Sequence, residues 1–254
     1  MVKKTMLIAA MIIFSAQFAF AQSAKEIMEK ADRLAKPQTV KAEARMTIIR
    51  GGKIDESLDL KLFGKQYGAK TEKMLLEIGS PRNMKVLTHT VKNGEDKQWV
   101  KMRDGKKKPI QGESDRKKVF VGSHLFYEDL QSRDIADYDF KLLGEEKYES
   151  YDCYRIEALP HAGKSIYEKA VFFVIKAGPL ANFILRADIF YEGYLYKRLV
   201  NYDIQVKSGV ITPNKSVMYR LQKDGTESGR TVVEIKSLEY NVPVNESLFN
   251  PNSL

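Results

Sequence analysis

From residue 40 to residue 240 the chain is written largely in period two. Val40, Ala42, Ala44, Met46 and Ile48 alternate with other residues, Gly51-Gly52 supplies a turn, and Ile54, Leu58, Leu60 and Leu62 mark the way back. Successive side chains of an extended strand point to opposite faces, so this pattern predicts a hairpin with one apolar face. The same grammar recurs over residues 69–78, 85–92, 98–102, 138–146, 153–159, 170–176, 182–191, 195–206, 216–222 and 231–240. Between them stands turn chemistry, including Asn93-Gly94, Arg103-Asp104-Gly105, Gly178-Pro179, Glu192-Gly193 and Lys223-Asp224-Gly225. A one-sided apolar sheet must bury its face, and twist accumulated over many strands curls it. The predicted fold is mainly β: a half-open antiparallel β-barrel of about a dozen strands, with an N-terminal helix and short lid helices. Aligned sandwich packing is the alternative that periodicity leaves open.

Two stretches break the period. Residues 23–36 carry Ile27, Met28, Ala31, Leu34 and Ala35 at spacings of three and four, which predicts an amphipathic helix ended by Pro37. Within residues 119–146, Gly122 and Ser123 interrupt a strand-like start. Residues 125–130 then read as a short amphipathic helix with Ser123 as its N-cap. An apolar insert bearing Leu125, Phe126, Tyr127 and Leu130 among strands must cover something they leave open, and the expectation is a hydrophobic cavity.

The N-terminus supplies an address. Lys3 and Lys4 precede an apolar run over residues 6–20, followed by Ala19-Phe20-Ala21. This is the pattern of a secretory signal peptide, cleaved after Ala21; the run is short for a membrane anchor, which needs about 20 apolar residues. Residues 22–254 are then expected to form a single domain, and the formal charge falls from +9 to +7 as Lys3 and Lys4 leave. A basic exported protein favours anionic membrane surfaces or acidic clients over nucleic acid. Cys153 is the only cysteine, which excludes an intramolecular disulfide, a CxxC centre and a thiolate zinc site.

Catalytic signals are missing. His89, His124 and His161 stand far apart with no metal-ligand spacing, and there is no GxSxG elbow, P-loop or GxGxxG, so neither a metal, a cofactor nor an enzymatic activity is expected. Glu128 and Asp129 would point about 100° apart on a helix, too divergent for one reacting centre. They read as a solvated helix face, with an ion pair to Arg133 open. Residues 97–118 hold nine basic and three acidic residues beside Trp99, the only tryptophan. Lys106, Lys107 and Lys108 are accordingly candidates for docking on an anionic membrane or a protein partner. The solvated tip of a hairpin is the equal alternative.

Gln98-Trp99-Val100, the run from Phe120 through Gly122-Ser123 to Tyr127-Glu128-Asp129-Leu130, the segment Tyr138-Asp139-Phe140-Lys141-Leu142-Leu143-Gly144, and the ending Glu246-Ser247-Leu248-Phe249-Asn250-Pro251 resemble the outer-membrane lipoprotein-sorting proteins, the LolA/LolB-like carriers. The resemblance implies an unclosed β-barrel around an apolar cavity, helices acting as a lid, and non-covalent shielding of lipoprotein or lipid acyl chains during transfer toward the outer membrane. Candidate cavity and lid residues are Trp99, Leu125, Phe126, Leu130, Phe172, Val174 and Phe190, chosen as large apolar residues of the insert or of alternating strands. His124-Leu125 departs from the acidic or polar residue expected after Gly-Ser, and no gating role passes to Arg45 or Arg50. A second function of another class is a periplasmic adaptor that docks its basic hairpin on an inner-membrane lipid-exporting transporter of the resistance-nodulation-division type.

Overall fold

In the computed structural model of the chain, residues 23–68, 71–91, 94 and 96–254 are described. The leader with its cleavage site after Ala21, and Asn93 of the Asn93-Gly94 turn, lie outside the described residues. Helix α1 (Ala24–Asp32) starts on a reciprocal cap: the Ser23 hydroxyl accepts from the Glu26 amide, and the Glu26 carboxylate accepts from the Ser23 amide. It ends a turn earlier than the apolar spacing suggests. Pro37 disfavours the helical conformation at the residue before it, and Arg33 to Lys36 already run as a connection toward the sheet.

Six strands follow: β1 (Thr39–Arg50), β2 (Lys53–Tyr67), β3 (Thr71–Ile78), β4 (Met84–Val91), β5 (Lys97–Lys101) and β6 (Lys107–Ile110). After a crossover that contains α2 (Gly112–Arg116) come seven more: β7 (Tyr138–Tyr148), β8 (Tyr151–Pro160), β9 (Lys169–Ile175), β10 (Ile184–Tyr191), β11 (Tyr194–Lys207), β12 (Val210–Leu221) and β13 (Glu227–Tyr240). All thirteen form one antiparallel sheet in the order β6-β5-β4-β3-β2-β1-β13-β12-β11-β10-β9-β8-β7. Each half is a meander, and the pairing of β1 with β13 joins them at the centre. The edges β6 and β7 do not pair, so the barrel is half open and a two-sheet sandwich is excluded.

The register identifies one continuous face. Phe172 stands opposite Ala187, Ala187 opposite Leu199, Leu199 opposite Met218, and Met218 opposite Thr231. Across the central seam Thr231 faces Ile48, Met46 faces Leu58, Leu60 faces Ile78, Ile78 faces Met84 and Val86 faces Val100. This inner face receives α1, whose Ala24, Ile27 and Met28 pack against Ile156, Val174 and Phe172. It also receives the crossover. The outer face of β3 to β5 is covered by the C-terminal tail, with Phe249 against Leu75 and Leu87 and with Trp99, Leu248 and Leu254 around them. Both faces are therefore partly dry, which is why several strands carry apolar residues at consecutive positions.

Candidate functional site

Because β6 and β7 are the two edges of the sheet, residues 111–137 must travel from one edge to the other, and they do so over the inner face. After α2, Val119 bridges Phe126 and the chain doubles back, the Phe120 amide donating to the Leu125 carbonyl at 2.8 Å. Val121 and Gly122 take positive φ in that turn (43° and 75°), and the Ser123 hydroxyl donates to the Phe120 carbonyl at 2.7 Å while accepting from the Leu125 amide. Ser123 is thus used in the turn and caps no helix. The expected helix over residues 125–130 is instead a single 3-10 turn, Tyr127–Leu130, capped by Asp129, whose carboxylate accepts from the Phe126 amide at 2.8 Å.

The crossover is apolar where it meets the sheet. Phe120, Val121 and Tyr127 are buried among Met46, Leu58, Leu60, Ile78, Met84 and Val86, with Leu125 and Leu130 packed alongside. Phe126 sits with Ile166, Tyr167, Ile189 and Met218. Polar groups then fix this layer. Lys197, on the inner face of β11, is 1% exposed and donates to Asp129, 3% exposed, at 2.7 Å. Tyr167 donates to the other Asp129 oxygen at 2.6 Å and accepts from Lys197 at 3.0 Å, while the ammonium lies 3.4 Å from the centroid of the Phe126 ring. Burial lowers the Lys197 pKa to about 8, with Asp129 pulling it back upward.

Glu128 points the other way and is also buried. It accepts from Arg116 at 3.0 Å, from the Ser165 hydroxyl at 2.9 Å and from the Ile166 amide at 3.3 Å. The solvated helix face expected for Glu128 and Asp129 is therefore corrected. Their divergence is real, but it directs one carboxylate to a lysine of the sheet and the other to the loop before β9. Arg133 does lie near Asp129, at 3.7 Å. A further contact closes the tip of the crossover: the His124 amide donates to the Thr231 hydroxyl at 2.9 Å, its ring Nδ1 lies 2.9 Å from the same oxygen, and Arg50 donates to the Gly122 carbonyl. A Cβ on Gly229 would stand 2.6 Å from both the His124 Nε2 and the Ile49 carbonyl, so His124 docks where the sheet has no side chain.

The seven apolar candidates divide between the two faces. Leu125, Phe126 and Leu130 turn inward on the crossover, and Phe172 and Val174 lie on the inner face beneath α1. Trp99 packs on the outer face, its ring 5.0 Å from that of His89 and beside Leu75, Leu87 and Phe249, and it also borders the cleft described below. Phe190 also packs outside, with Leu185, Phe173 and Val171, under the Lys169 ammonium. Lys106, Lys107 and Lys108 are exposed at the β5–β6 turn, where Lys106 meets Asp104 at 3.1 Å and Lys107 donates to the Pro251 carbonyl at 2.6 Å.

Between α1 and the crossover the inner face is not fully covered. Leu62, Met74 and Ile235 share that face and are half-buried. Toward the far ends of β2 to β5 it widens into a cleft of about 1220 Å³. Gln66, Glu72, Thr90 and Gln98 line it from the sheet, and Arg116, Ser132 and Arg133 from the crossover. The mouth is thus polar, and the apolar surface lies deeper, under the chain's own segments. Lys197 and Gln98 are the residues that sequence reasoning passed over. Each is a polar residue in an apolar period-two row, Lys197 beside Leu199 and Gln98 beside Val100, and a polar residue at a core position demands a partner.

A family model of "-like" uncharacterized proteins matches residues 70–254. Among curated proteins none matches the chain. A DUF1329 family protein from Desulfovibrio piger superposes with a TM-score of 0.82 at 28% identity, covering 91% of this chain and 97% of its own. A domain described as an outer membrane lipoprotein-sorting protein, from Vibrio parahaemolyticus, gives 0.80 at 22% identity, covering 90% and 97%. A LolA superfamily protein from Nitrosomonas europaea gives 0.68 at 18% identity, covering 92% and 100%. The chain belongs to the family of that model, and its fold is the LolA-like open barrel. Within this open barrel the crossover from β6 to β7 covers the inner face, and Asp129 is the point at which it is pinned to the sheet.

Two outcomes follow from the pinning. Cutting one side of a buried ion pair strands the other charge, so Lys197→Met or Asp129→Leu alone is expected to lower stability by about 3–5 kcal/mol, and the double variant by less than the sum. Chemical denaturation of the four species measures the coupling. His124 is held down at about pH 4 by burial first, and then by Arg50, Lys197 and Arg220, with the Arg230 backbone opposing. Its folded pKa lies below the ordinary 6.5, so the unfolded chain binds the extra proton first and stability falls as the pH drops from about 6.5 to 4. After allowance for partial exposure the loss is of order 1–2 kcal/mol. Melting curves of wild type and His124→Gln across that window should show the slope shrinking in the variant.

Proposed function

We propose that the protein is a non-enzymatic periplasmic carrier that shields the acyl chains of a lipoprotein or lipid on the inner face of its half-open barrel, for transfer toward the outer membrane. The observation that carries this reading is the mode of closure. The apolar inner face is covered by the chain's own crossover, a layer held by a few polar contacts, where a permanent core would be filled by a second sheet or a helical layer. The shared architecture with a lipoprotein-sorting domain supports the reading, as does the signal-peptide pattern of the N-terminal sequence. Among the described residues no helix is long and apolar enough to cross a membrane.

The magnitudes suit reversible loading. Burying a chain of roughly fifteen methylenes is worth on the order of 12 kcal/mol, and exposing Phe120, Val121, Phe126 and Tyr127 would cost about 6–12 kcal/mol. Near-balance between these terms lets a client displace the lid and lets the lid displace the client.

Binding of a fluorescent long-chain fatty acid to the purified mature protein tests the proposal. Met74→Glu, which puts a charge in the half-open strip, should weaken binding about tenfold or more with little effect on melting temperature. Reversing the charge of Lys106, Lys107 and Lys108 should leave uptake unchanged and reduce only attachment to anionic vesicles or to a transporter. Absence of fatty-acid binding, together with no lipid co-purifying from the native periplasm, contradicts the carrier reading.

A further inference from the structure

The inner face changes character along its strands. Near the tip of the lid, β2 to β5 present Leu58, Leu60, Ile78, Met84, Val86 and Val100. Farther along the same strands, still on that face, the register continues with Gln66 opposite Glu72, Glu72 opposite Thr90, and Thr88 opposite Gln98. Gln98 is 2% exposed and lines the cleft. Its amide nitrogen donates to the Thr88 hydroxyl at 3.1 Å, while its Oε1 has no hydrogen-bond partner among the described residues. The amide nitrogen thus serves the buried Thr88 hydroxyl, and a carbonyl left unpaired at this depth is costly. On the sheet side the Glu72 carboxylate is the acidic group of the cleft wall, with Lys97 beside Gln98, while Arg116 and Arg133 on the crossover side are paired with Glu128 and Asp129.

We propose that this polar end of the inner face seats the primary-ammonium head group of an aminophospholipid client, with Gln98 Oε1 accepting one ammonium hydrogen and Glu72 supplying the counter-charge. This rests on the carrier reading and adds a substrate class to it. Acyl chains lie along Leu62 and Met74, and the head lies toward the cleft mouth, so client polarity matches the polarity of the face. A quaternary head has no N–H to donate, and a site built around an unpaired acceptor discriminates against a ligand that leaves it unpaired.

The test is competition between chain-matched phosphatidylethanolamine and phosphatidylcholine for the bound fluorescent fatty acid. The wild-type protein should prefer the ethanolamine lipid by about tenfold, as one charge-assisted hydrogen bond warrants. Gln98→Met, which keeps the side-chain length and removes the acceptor, should bring the two lipids to within about twofold. Glu72→Gln, a milder change on the cleft wall, should narrow the preference as well and serves if the first variant melts early. Equal affinities in the wild type, a preference for the choline lipid, or a preference that survives both substitutions overturns the head-group site. Failure of the fatty acid and both lipids to bind overturns the carrier reading itself.

Discussion

Everything in this fold answers to one constraint: a thirteen-stranded sheet with an apolar inner face and two unpaired edges cannot leave that face in water. Closing the barrel edge to edge would bury it permanently. The chain instead sends residues 111–137 from β6 to β7 across the opening, and uses α1 to cover what lies beyond. Topology therefore makes the cover a connection, tethered at both ends and placed over the face by the need to reach the other edge.

How firmly the cover sits depends on few contacts. Phe120, Phe126 and Tyr127 supply apolar area, and the Lys197–Asp129–Tyr167 cluster supplies position. A buried ion pair adds little net stability compared with an apolar replacement, but it is costly to break one-sidedly and so specifies a single seat for the crossover. The same reasoning applies to His124, whose ring fits over Gly229 in neutral form and is opposed by Arg50 when protonated.

Much of this was legible beforehand, because hairpins announce themselves. Gly51-Gly52 between two alternating runs marked the β1–β2 turn, and the three-and-four spacing of Ile27, Met28 and Ala31 marked the helix. What period two cannot say is which face an apolar row occupies when both faces are dry. Trp99 and Phe190 fall on the outer side because the C-terminal tail covers that surface at one end and Leu180 and Phe183, with Tyr148 and Tyr151, pack on it at the other. The short β6 was hidden in Lys106-Lys107-Lys108-Pro109, whose charge reads as a solvated tip although residues 107–110 pair with β5. Glu128 and Asp129 looked solvated because their partners, Arg116, Ser165 and Lys197, meet them only once the sheet has curled.

The central claim is that the crossover is a displaceable cover over a face that holds acyl chains. Hydrogen–deuterium exchange of residues 119–130, with and without a saturating long-chain fatty acid, tests it most directly. The account predicts that these amides lose protection when the fatty acid binds, while the central strands β1 and β13 keep theirs. Unchanged protection of residues 119–130 in a demonstrably loaded protein would contradict it, since the face could then be reached without moving its cover.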